Sequence, residues 1–437
     1  MNFKADINKE ILRLSVPNIV SNITVPLLGM VDLAMMGHLD DPVYIGAIAL
    51  GGIIFNIIYH SFAFLRMGSS GFTAQAFGAK NDRDVSLVLI RSLLVAAGLA
   101  VLLLLLQYPI QWVAFRLLDG SEEVKNLARQ YFYIRIFAAP ATLALYAFYG
   151  WFLGLQNARI PMILAITVNA VNICLNFVFI YGFGMKSDGV ALASVLAQYT
   201  GLLLATIFLF TRYKKYVVRF SSAVILQLDE IKRFFKVNSD IFIRTLLLIL
   251  VFAFFLSRSA DMGNDILAVN SLLFQFLYIF SYFADGFAFA GEALAGKAKG
   301  AGDPSRLKLT VKYLFRWNWG TSVVYALFFL TAFHLLLRLM TDNELLIAMA
   351  DEYKYWIVAL PLASGAAFIW DGIYIGVTAS KAMRNTMIIA SLLVFLPVYY
   401  LTVEHLGNHA LWLALNLFML SRGLQMWALA RKDVSDL

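Results

Sequence analysis

Long apolar runs separated by short polar connections dominate the chain from near Leu14 to the carboxyl end. A helix needs about 20 predominantly apolar residues to cross the hydrocarbon core of a bilayer. The runs lack the alternation of apolar and polar positions that a β-barrel strand requires, so helices are predicted. The pattern predicts an all-α polytopic membrane protein with twelve transmembrane helices, at residues 12–36, 43–66, 87–107, 130–153, 161–184, 189–211, 238–257, 266–290, 310–335, 354–377, 386–403 and 410–430.

Composition and charge narrow the class of protein further. Of the 437 residues, 61% are hydrophobic and only 14% are charged, which is more apolar surface than a soluble domain can bury. The net charge of +8 fits the positive-inside bias of cytoplasmic loops, so no nucleic-acid partner is expected. The residues from Met1 to Glu10 lead into a span without a small-residue cleavage site, and we expect no removable signal peptide. One cysteine and scattered histidines favour neither a metal site nor an enzyme.

Lysine and arginine cluster in the connections on one side of the predicted spans. These connections include residues 80–83, 212–236, 297–312 and 381–384, whereas the alternate connections contain fewer basic residues. Both termini are therefore predicted to be cytoplasmic, in a multi-pass protein of the inner (plasma) membrane. The expected partners are the lipid bilayer and small-molecule substrates, with no obligatory protein partner and no cofactor.

The two halves of the chain resemble each other at an offset of about 220 residues. Six spans per half give both halves the same orientation, and such parallel repeats are typical of secondary transporters. We predict an amino-terminal six-helix lobe at 1–211, a cytoplasmic linker at 212–236 and a carboxy-terminal six-helix lobe at 237–437. The matching motifs are Phe55–Tyr59 with Phe274–Tyr278, Gln75–Ala79 with Lys297–Ala301, and Gly150–Gly154 with Gly372–Gly376.

The first span carries one carboxylate, Asp32, in an otherwise apolar run. An ionised side chain in lipid is costly, so acids inside spans commonly mark an ion or substrate path. Pro26 lies six residues earlier and removes a backbone hydrogen bond, which makes it a candidate hinge. The alternative is that Asp32 caps a loop near the interface and that Pro26 is a tolerated kink.

A polar stripe follows in the fifth and sixth predicted helices. Asn169, Asn172 and Asn176 are spaced three and four residues apart, which places their amides on one helix face. Ser194 and Gln198 extend this set on the next helix. Amides bond a carboxylate in either protonation state, so the stripe suits a titrating acid. Hydrogen bonding between helices is the alternative role of these groups.

The second half carries a different set of charges near its predicted cytoplasmic side. A buried arginine with several acids indicates a charge-compensated network or an inner gate, and a second coupling site is the alternative. Asp371 stands out because its neighbours Trp370 and Gly372 include no base. The full set is Asp240, Arg244, Asp285, Glu292 and Asp371.

These motifs together resemble the multidrug and toxic compound extrusion (MATE) family, in particular its DinF-like branch, along essentially the whole chain. The resemblance implies a twelve-helix antiporter that exports organic, often cationic, compounds against an inward flow of H⁺ or Na⁺. The motifs are Val31-Asp32 with Met36-Gly37-His38-Leu39, Gln75–Ala79, Asn169–Asn176 followed by Gly189–Ser194, Arg244 with Ala284–Ala288 and Glu292, and Trp370-Asp371.

The resemblance also suggests roles for single residues. Asp32 matches the acid that serves as the cation site in related proteins, with Asn172 and Ser194 as its supports. Asn176 departs from the pattern, because some relatives have an aspartate at this position. We therefore expect H⁺ coupling through Asp32, Asn172, Asn176 and Ser194, and substrate contacts through Asp32, Asn169 and Gln198. The alternatives are Na⁺-coupled antiport and a lipid-linked oligosaccharide flippase.

Overall fold

The computed structural model describes the backbone of residues 3–36 and 43–433. Within these ranges the side chains of residues 3–5, 25, 27–34, 36, 432 and 433 are not described, and Asp32 is among them. The described chain is helical, with no strand in these ranges. The helices of the first half are α1 (Phe3–Met36), α2 (Val43–Ser61), α3 (Phe64–Gly78), α4 (Asp82–Leu105), α5 (Gln107–Leu117), α6 (Glu122–Arg135), α7 (Ala139–Gly154), α8 (Arg159–Phe177) and α9 (Ser187–Arg212).

The second half continues with nine further helices. They are α10 (Ser222–Ile225), α11 (Leu228–Asp261), α12 (Asn264–Gly300), α13 (Pro304–Met340), α14 (Glu344–Asp351), α15 (Lys354–Gly376), α16 (Ser380–Ile389), α17 (Leu396–Leu406) and α18 (His409–Asp433). Short 3₁₀ or π segments lie between some of them, at Ile136–Ala138, Val178–Gly182, Lys214–Tyr216 and Ala390–Phe395.

Ten helical stretches in the described ranges are long and apolar enough to cross a membrane. Helices α1 and α18, with 34 and 25 residues, also exceed the length that a bilayer requires. The prediction of an all-α polytopic membrane protein is therefore confirmed, and the helices agree with the twelve predicted spans. Helices form because no water is available inside a bilayer to satisfy an open backbone.

The predicted repeat recurs in the turns between helices. Asn81 caps α4 by accepting a hydrogen bond from the backbone N–H of Asp84 at 3.1 Å. Asp303 caps α13 in the same way, with the N–H of Arg306 at 2.8 Å. The residues just before these caps, Lys80 and Gly302, both have a positive φ, of 55° and 62°. Equivalent positions in the two halves therefore end one helix and begin the next by the same local geometry.

Close helix packing at two glycine pairs repeats in the same way. A Cβ added to Gly150 would lie 2.1 Å from the carbonyl oxygen of Arg66, and one added to Gly372 would lie 2.1 Å from that of Ala288. A Cβ added to Gly376, one turn beyond Gly372, would lie 2.2 Å from the carbonyl oxygen of Glu292, and one added to the equivalent Gly154 would lie 2.8 Å from that of Ser70. Helix α7 thus contacts α3, and α15 contacts α12, at a distance that only a residue without a side chain permits.

The chain divides into two compact units, Met1–Ile19 with Phe235–Leu437, and Val20–Phe234. The chain passes from one unit to the other inside α1 and again inside α11. The start of α1 belongs to the first unit because Arg306 donates a hydrogen bond of 2.7 Å to the carboxylate of Glu10. The division into an amino-terminal lobe at 1–211, a linker at 212–236 and a carboxy-terminal lobe at 237–437 remains a prediction.

Aromatic rings fill the core of the unit that contains the second half. Phe255 packs edge-on against Phe274 and Trp412, with ring centres 4.9 Å apart in both pairs. The indole N–H of Trp412 donates to the amide oxygen of Asn270 at 2.9 Å. Asn270 and Asn408 exchange hydrogen bonds of 2.7 and 3.0 Å. These bonds satisfy the buried amides inside an apolar core and join α12 to α18.

In the other unit, residues of the predicted linker pack on the membrane-spanning helices. Tyr216 and Tyr213 lie edge-on against the buried Trp151, with ring centres 5.5 Å apart in each pair. The guanidinium of Arg91 in α4 donates to the carbonyl oxygens of Val224 and Ile225 at 3.1 Å. These contacts attach the connecting segment to this unit.

The glycine contact yields a stability prediction. We expect Gly372→Ala to lower the free energy of unfolding by about 1–3 kcal/mol, because the new methyl group overlaps the carbonyl of Ala288. The matched control is Gly52→Ala in α2, where an added Cβ meets nothing within 4 Å. Thermal unfolding of the purified protein in detergent measures both variants. Unfolding of Gly372→Ala at or above the parental temperature would contradict the packing argument.

Candidate functional site

Asp32 lies in α1, six residues after Pro26. The Asp32 side chain lies outside the described residues, so its contacts stay a prediction. The half-buried Pro26 lies inside the same helix. A proline within a helix removes one backbone hydrogen bond and disfavours the straight helical geometry of the preceding turn.

The amide stripe forms a buried chain of hydrogen bonds between α8 and its neighbour α9. The amide N–H of Asn176 donates to the amide oxygen of Asn172 at 3.0 Å. The amide N–H of Asn172 donates in turn to the hydroxyl of Ser194 at 3.1 Å. The exposed fraction of these residues is 0% for Asn176, 2% for Asn172 and 6% for Ser194. The structure therefore brings together three of the residues that the sequence singled out.

The other two polar residues of this set are placed differently. Asn169 donates its amide N–H to the backbone carbonyl of Thr24 at 3.1 Å, which connects α8 to α1 two residues before Pro26. Gln198 is half-buried on α9 and lies outside the hydrogen-bonded chain of the two asparagines and Ser194. The hydrogen bond from the Asn169 amide therefore holds α1 close to the turn in which Pro26 removes a backbone hydrogen bond.

The second unit contains a buried carboxylate shared by two arginines. Arg422 of α18 donates to Oδ2 of Asp371 at 2.6 Å. Arg244 of α11 donates to the same oxygen of Asp371, which lies on α15. All three side chains are buried. The cluster joins three helices through charge-assisted hydrogen bonds, which are strong in a medium of low dielectric constant.

Asp240 belongs to a separate ion pair. Its two carboxylate oxygens accept hydrogen bonds from Arg384 at 2.6 Å and from the hydroxyl of Ser380 at 2.8 Å. Both donors lie on α16. Although Asp240 and Arg244 are four residues apart on α11, each is paired with a different helix. The structure therefore divides the predicted set of charges into two centres.

The remaining two acids of the predicted set lie on α12. Asp285 is half-buried and close enough to Arg422 to interact with it electrostatically. Glu292 is fully buried, and its backbone carbonyl is the one that Gly376 of α15 approaches. With Asp285, the cluster around Asp371 contains two acids and two bases, so its formal charges balance.

Sequence reasoning missed the roles of Arg422 and Arg384. Arg422 lies inside the predicted span 410–430, where a charged side chain costs free energy. An arginine within an apolar span is therefore a sequence signal that identifies it as a candidate. In the sequence, Arg384 has only the signature of a basic loop residue. Asp371 stood out because no base lies beside it in sequence, but two bases contact it in the folded chain. Across the described ranges, no group of three or more His, Cys, Asp or Glu side chains is placed to hold a metal ion.

Two repeated sets of apolar helices with buried polar groups have the construction of a membrane transporter. The chain belongs to the MatE family, whose model matches it twice, at residues 17–178 and 241–401. The two matches fall in the two halves of the repeat. Members of this family are transporters, so the prediction that the chain is not an enzyme is confirmed.

Individual relatives agree with this assignment. The chain is 38% identical over 432 residues to the DNA damage-inducible protein F of Escherichia coli (strain K12), covering 99% of this chain and 94% of that protein. It is 27% identical over 212 residues to the probable multidrug resistance protein NorM of Thermotoga maritima, covering 47% of this chain and 45% of that protein. The crystal structure of the Vibrio cholerae MATE transporter VcmN in the bent form has the same fold, with a TM-score of 0.87, 18% identity and coverage of 100% of this chain and 99% of that chain.

The shared carboxylate predicts a large effect on stability. We expect Asp371→Asn to lower the free energy of unfolding by about 3–5 kcal/mol, because two buried guanidinium groups lose the carboxylate that both contact, and only the half-buried Asp285 of the cluster stays as an acid. Thermal unfolding in detergent measures the loss. The control is Glu344→Gln, which breaks the exposed pair with Arg338, whose closest atoms are 3.3 Å apart, and is expected to cost less than about 1 kcal/mol. Equal effects of the two variants would contradict the assignment of Asp371 as a central charge.

Proposed function

We propose that this protein is a secondary active transporter that exports organic, often cationic, small molecules in exchange for protons. Family membership supports transport, and a relative that bears the name multidrug resistance protein supports the substrate class. The observation that carries the proposal is the buried hydrogen-bonded chain from Asn176 through Asn172 to Ser194. Buried polar groups in an apolar bundle commonly line a transport pathway.

The register of the helices supports Asp32 as the coupling acid. Asn169 contacts α1 at Thr24, and Asn176 lies seven residues farther along α8. Both helices are predicted to run outward, so an equal rise along α1 leads from Thr24 to the level of Val31 and Asp32. The backbone of Asp32 is therefore proposed to lie at the depth of the amide chain.

Neutral amides favour a proton over a metal cation as the coupling ion. An amide can donate to a carboxylate and can also accept from a carboxylic acid, so the pair Asn172 and Asn176 suits both protonation states of Asp32. A second acid in place of Asn176 would instead provide more negative charge for a bound Na⁺. The described residues of this chain of hydrogen bonds contribute no carboxylate.

In the proposed cycle, Asp32 takes a proton from the outer side, and neutralisation releases a bound cationic substrate. Loss of the carboxylate charge also weakens its bonds to the amides, and α1 bends at Pro26. The bond from Asn169 to the Thr24 carbonyl holds the first part of the helix while the later part moves. Asp32, Asn169 and Gln198 contact the substrate, so proton and substrate compete for one site.

We propose a supporting role for the charges of the second unit. Arg244, Asp371 and Arg422 hold three helices together, and Asp240 with Arg384 attaches α16 to α11. Such pairs keep the unit rigid, or form an inner gate, while α1 bends. A flippase for a lipid-linked oligosaccharide would need cationic groups for pyrophosphate, whereas both Arg244 and Arg422 are already bound by Asp371.

The proposed location is the inner (plasma) membrane, with both termini in the cytoplasm. The basic connections support this topology, because Lys and Arg accumulate on the cytoplasmic side of membrane proteins. Small-molecule substrates and the bilayer are the only partners that the mechanism needs.

The coupling proposal is tested by efflux from cells or inverted vesicles, with proton and sodium gradients imposed separately. We expect a proton gradient alone to drive export of cationic dyes, and Asp32→Asn to reduce this export to background because the proton acceptor is lost. Asp119→Asn, which removes an exposed acid next to α5, is the matched control and should keep the parental rate. Parental export by Asp32→Asn would exclude this mechanism, and export driven by sodium at equal pH would favour the Na⁺ alternative.

The hinge proposal predicts a kinetic effect. We expect Pro26→Ala to slow turnover about tenfold, a change in barrier of about 1.4 kcal/mol, because a continuous helix resists bending. Substrate affinity should change much less, since no substrate contact is removed. Pro109→Ala, in the exposed part of α5, is the control and should leave both quantities unchanged. Dye binding and the maximal efflux rate separate the two effects, and a parental rate for Pro26→Ala would remove the hinge from the mechanism.

A further inference from the structure

A large open groove runs along the outside of the unit that contains the second half of the chain. It has a volume of about 960 Å³ and lies between α12 and α13, with the beginning of α1 at one end. Its walls are largely aromatic. The residues that line it include Phe283 of α12, Tyr313, Trp317, Tyr325 and Phe328 of α13, and Asn8 of α1.

The end of the groove near α1 is fixed by specific contacts. The indole N–H of Trp317 donates to the amide oxygen of Asn8 at 2.9 Å. The Trp317 ring also stacks on Phe287, with ring centres 6.2 Å apart and planes 15° from parallel. Tyr325 packs against Phe283 at a distance of 5.1 Å between ring centres. The groove is therefore a preformed surface with fixed walls.

The middle of the groove is open because one residue has no side chain. A Cβ added to Gly320 would meet nothing within 4 Å. Val324, one turn farther along α13, has an exposed fraction of 63%. Along α13 the lining runs from Tyr313 to Phe328, about 22 Å at the rise of a helix. This length exceeds the thickness of one hydrocarbon leaflet, about 15 Å, so one acyl chain and the start of its headgroup fit along it.

Basic side chains lead into the groove at the amino-terminal end of α13. Lys308, Lys312 and Arg316 are spaced four residues apart, which places them on one face of the helix, and all three are exposed. Arg316 also lines the groove, with its guanidinium carbon 5.1 Å from the centre of the Tyr313 ring. The predicted topology places this end at the cytoplasmic side, where anionic lipid headgroups attract Lys and Arg.

We propose that this groove binds one anionic phospholipid of the cytoplasmic leaflet. Its acyl chain lies along the aromatic walls over Gly320, and its phosphate is held by Arg316 with Lys312. A guanidinium binds phosphate through two parallel hydrogen bonds, and lysine adds a second positive charge. An organic cation would find aromatic rings in the groove but would be repelled by the basic face at its end.

The test measures lipid binding to the purified, delipidated full chain by native mass spectrometry. Phosphatidylglycerol and phosphatidylcholine with identical acyl chains are titrated separately, together with glycerol phosphate as a headgroup without chains. We expect one bound phosphatidylglycerol with an affinity at least about fivefold higher than that of phosphatidylcholine. Glycerol phosphate should not compete, since it lacks the chain that fills the groove.

Two pairs of variants locate the site. Gly320→Leu fills the groove and should weaken binding of both lipids, whereas Gly98→Leu, at an equally open glycine of α4, should not. Arg316→Ala should remove the roughly fivefold preference for phosphatidylglycerol, and Arg316→Lys should restore most of it. Arg338→Ala, at the other end of α13, should have no effect on that preference.

Thermal unfolding of each variant shows that the fold is intact. The proposal is overturned if folded Gly320→Leu binds phosphatidylglycerol like the parent, or if Arg316→Ala keeps the preference. Displacement of the lipid by dodecyltrimethylammonium with equal strength in the parent and in Arg316→Ala would also overturn it, because the groove would then select apolar chains without regard to charge.

Discussion

A polar group inside a bilayer must find its partner within the protein, because the hydrocarbon offers none. The backbone meets this requirement by forming helices throughout the described spans. Side chains meet it through short chains of contacts between helices, such as Asn176 to Asn172 to Ser194 and the two arginines on Asp371. The positions of the candidate functional groups follow from the same requirement, since each buried polar residue needs a neighbouring helix that brings its partner.

The two halves share their scaffold and differ in what they bury. Gly154 packs on the carbonyl of Ser70, and the equivalent Gly376 packs on the carbonyl of Glu292. The backbone contact is the same, but the residue that supplies the carbonyl differs. It is Ser70, with a neutral hydroxyl, in one half and Glu292, with a carboxyl group, in the other. The glycine contacts depend only on backbone geometry, so they allow the side chains around them to diverge. One repeat could in this way acquire a titrating site and the other a set of ion pairs.

This difference gives the two units distinct physical characters. In our proposal Asp32 faces amides and a hydroxyl, which accept either protonation state, so a change in its charge would not be opposed by a fixed counter-charge. In the other unit, Asp371 and Asp240 each contact arginine, and removal of one partner would expose a buried charge. The first arrangement favours a switch and the second favours a stable frame.

The spans, the repeat and the candidate hinge could be derived from the sequence alone. Apolar length, helical spacing and the effect of proline on a helix are local properties, and they identified Pro26, Asp32 and the three asparagines as a set. The repeated glycine motifs are also visible in the sequence itself. Only the tertiary structure decided that Arg422 and Arg244 share Asp371 and that Asp240 pairs with Arg384. These partners lie on helices far apart in the chain, and their meeting depends on the rotation and depth of each helix, which local sequence does not specify.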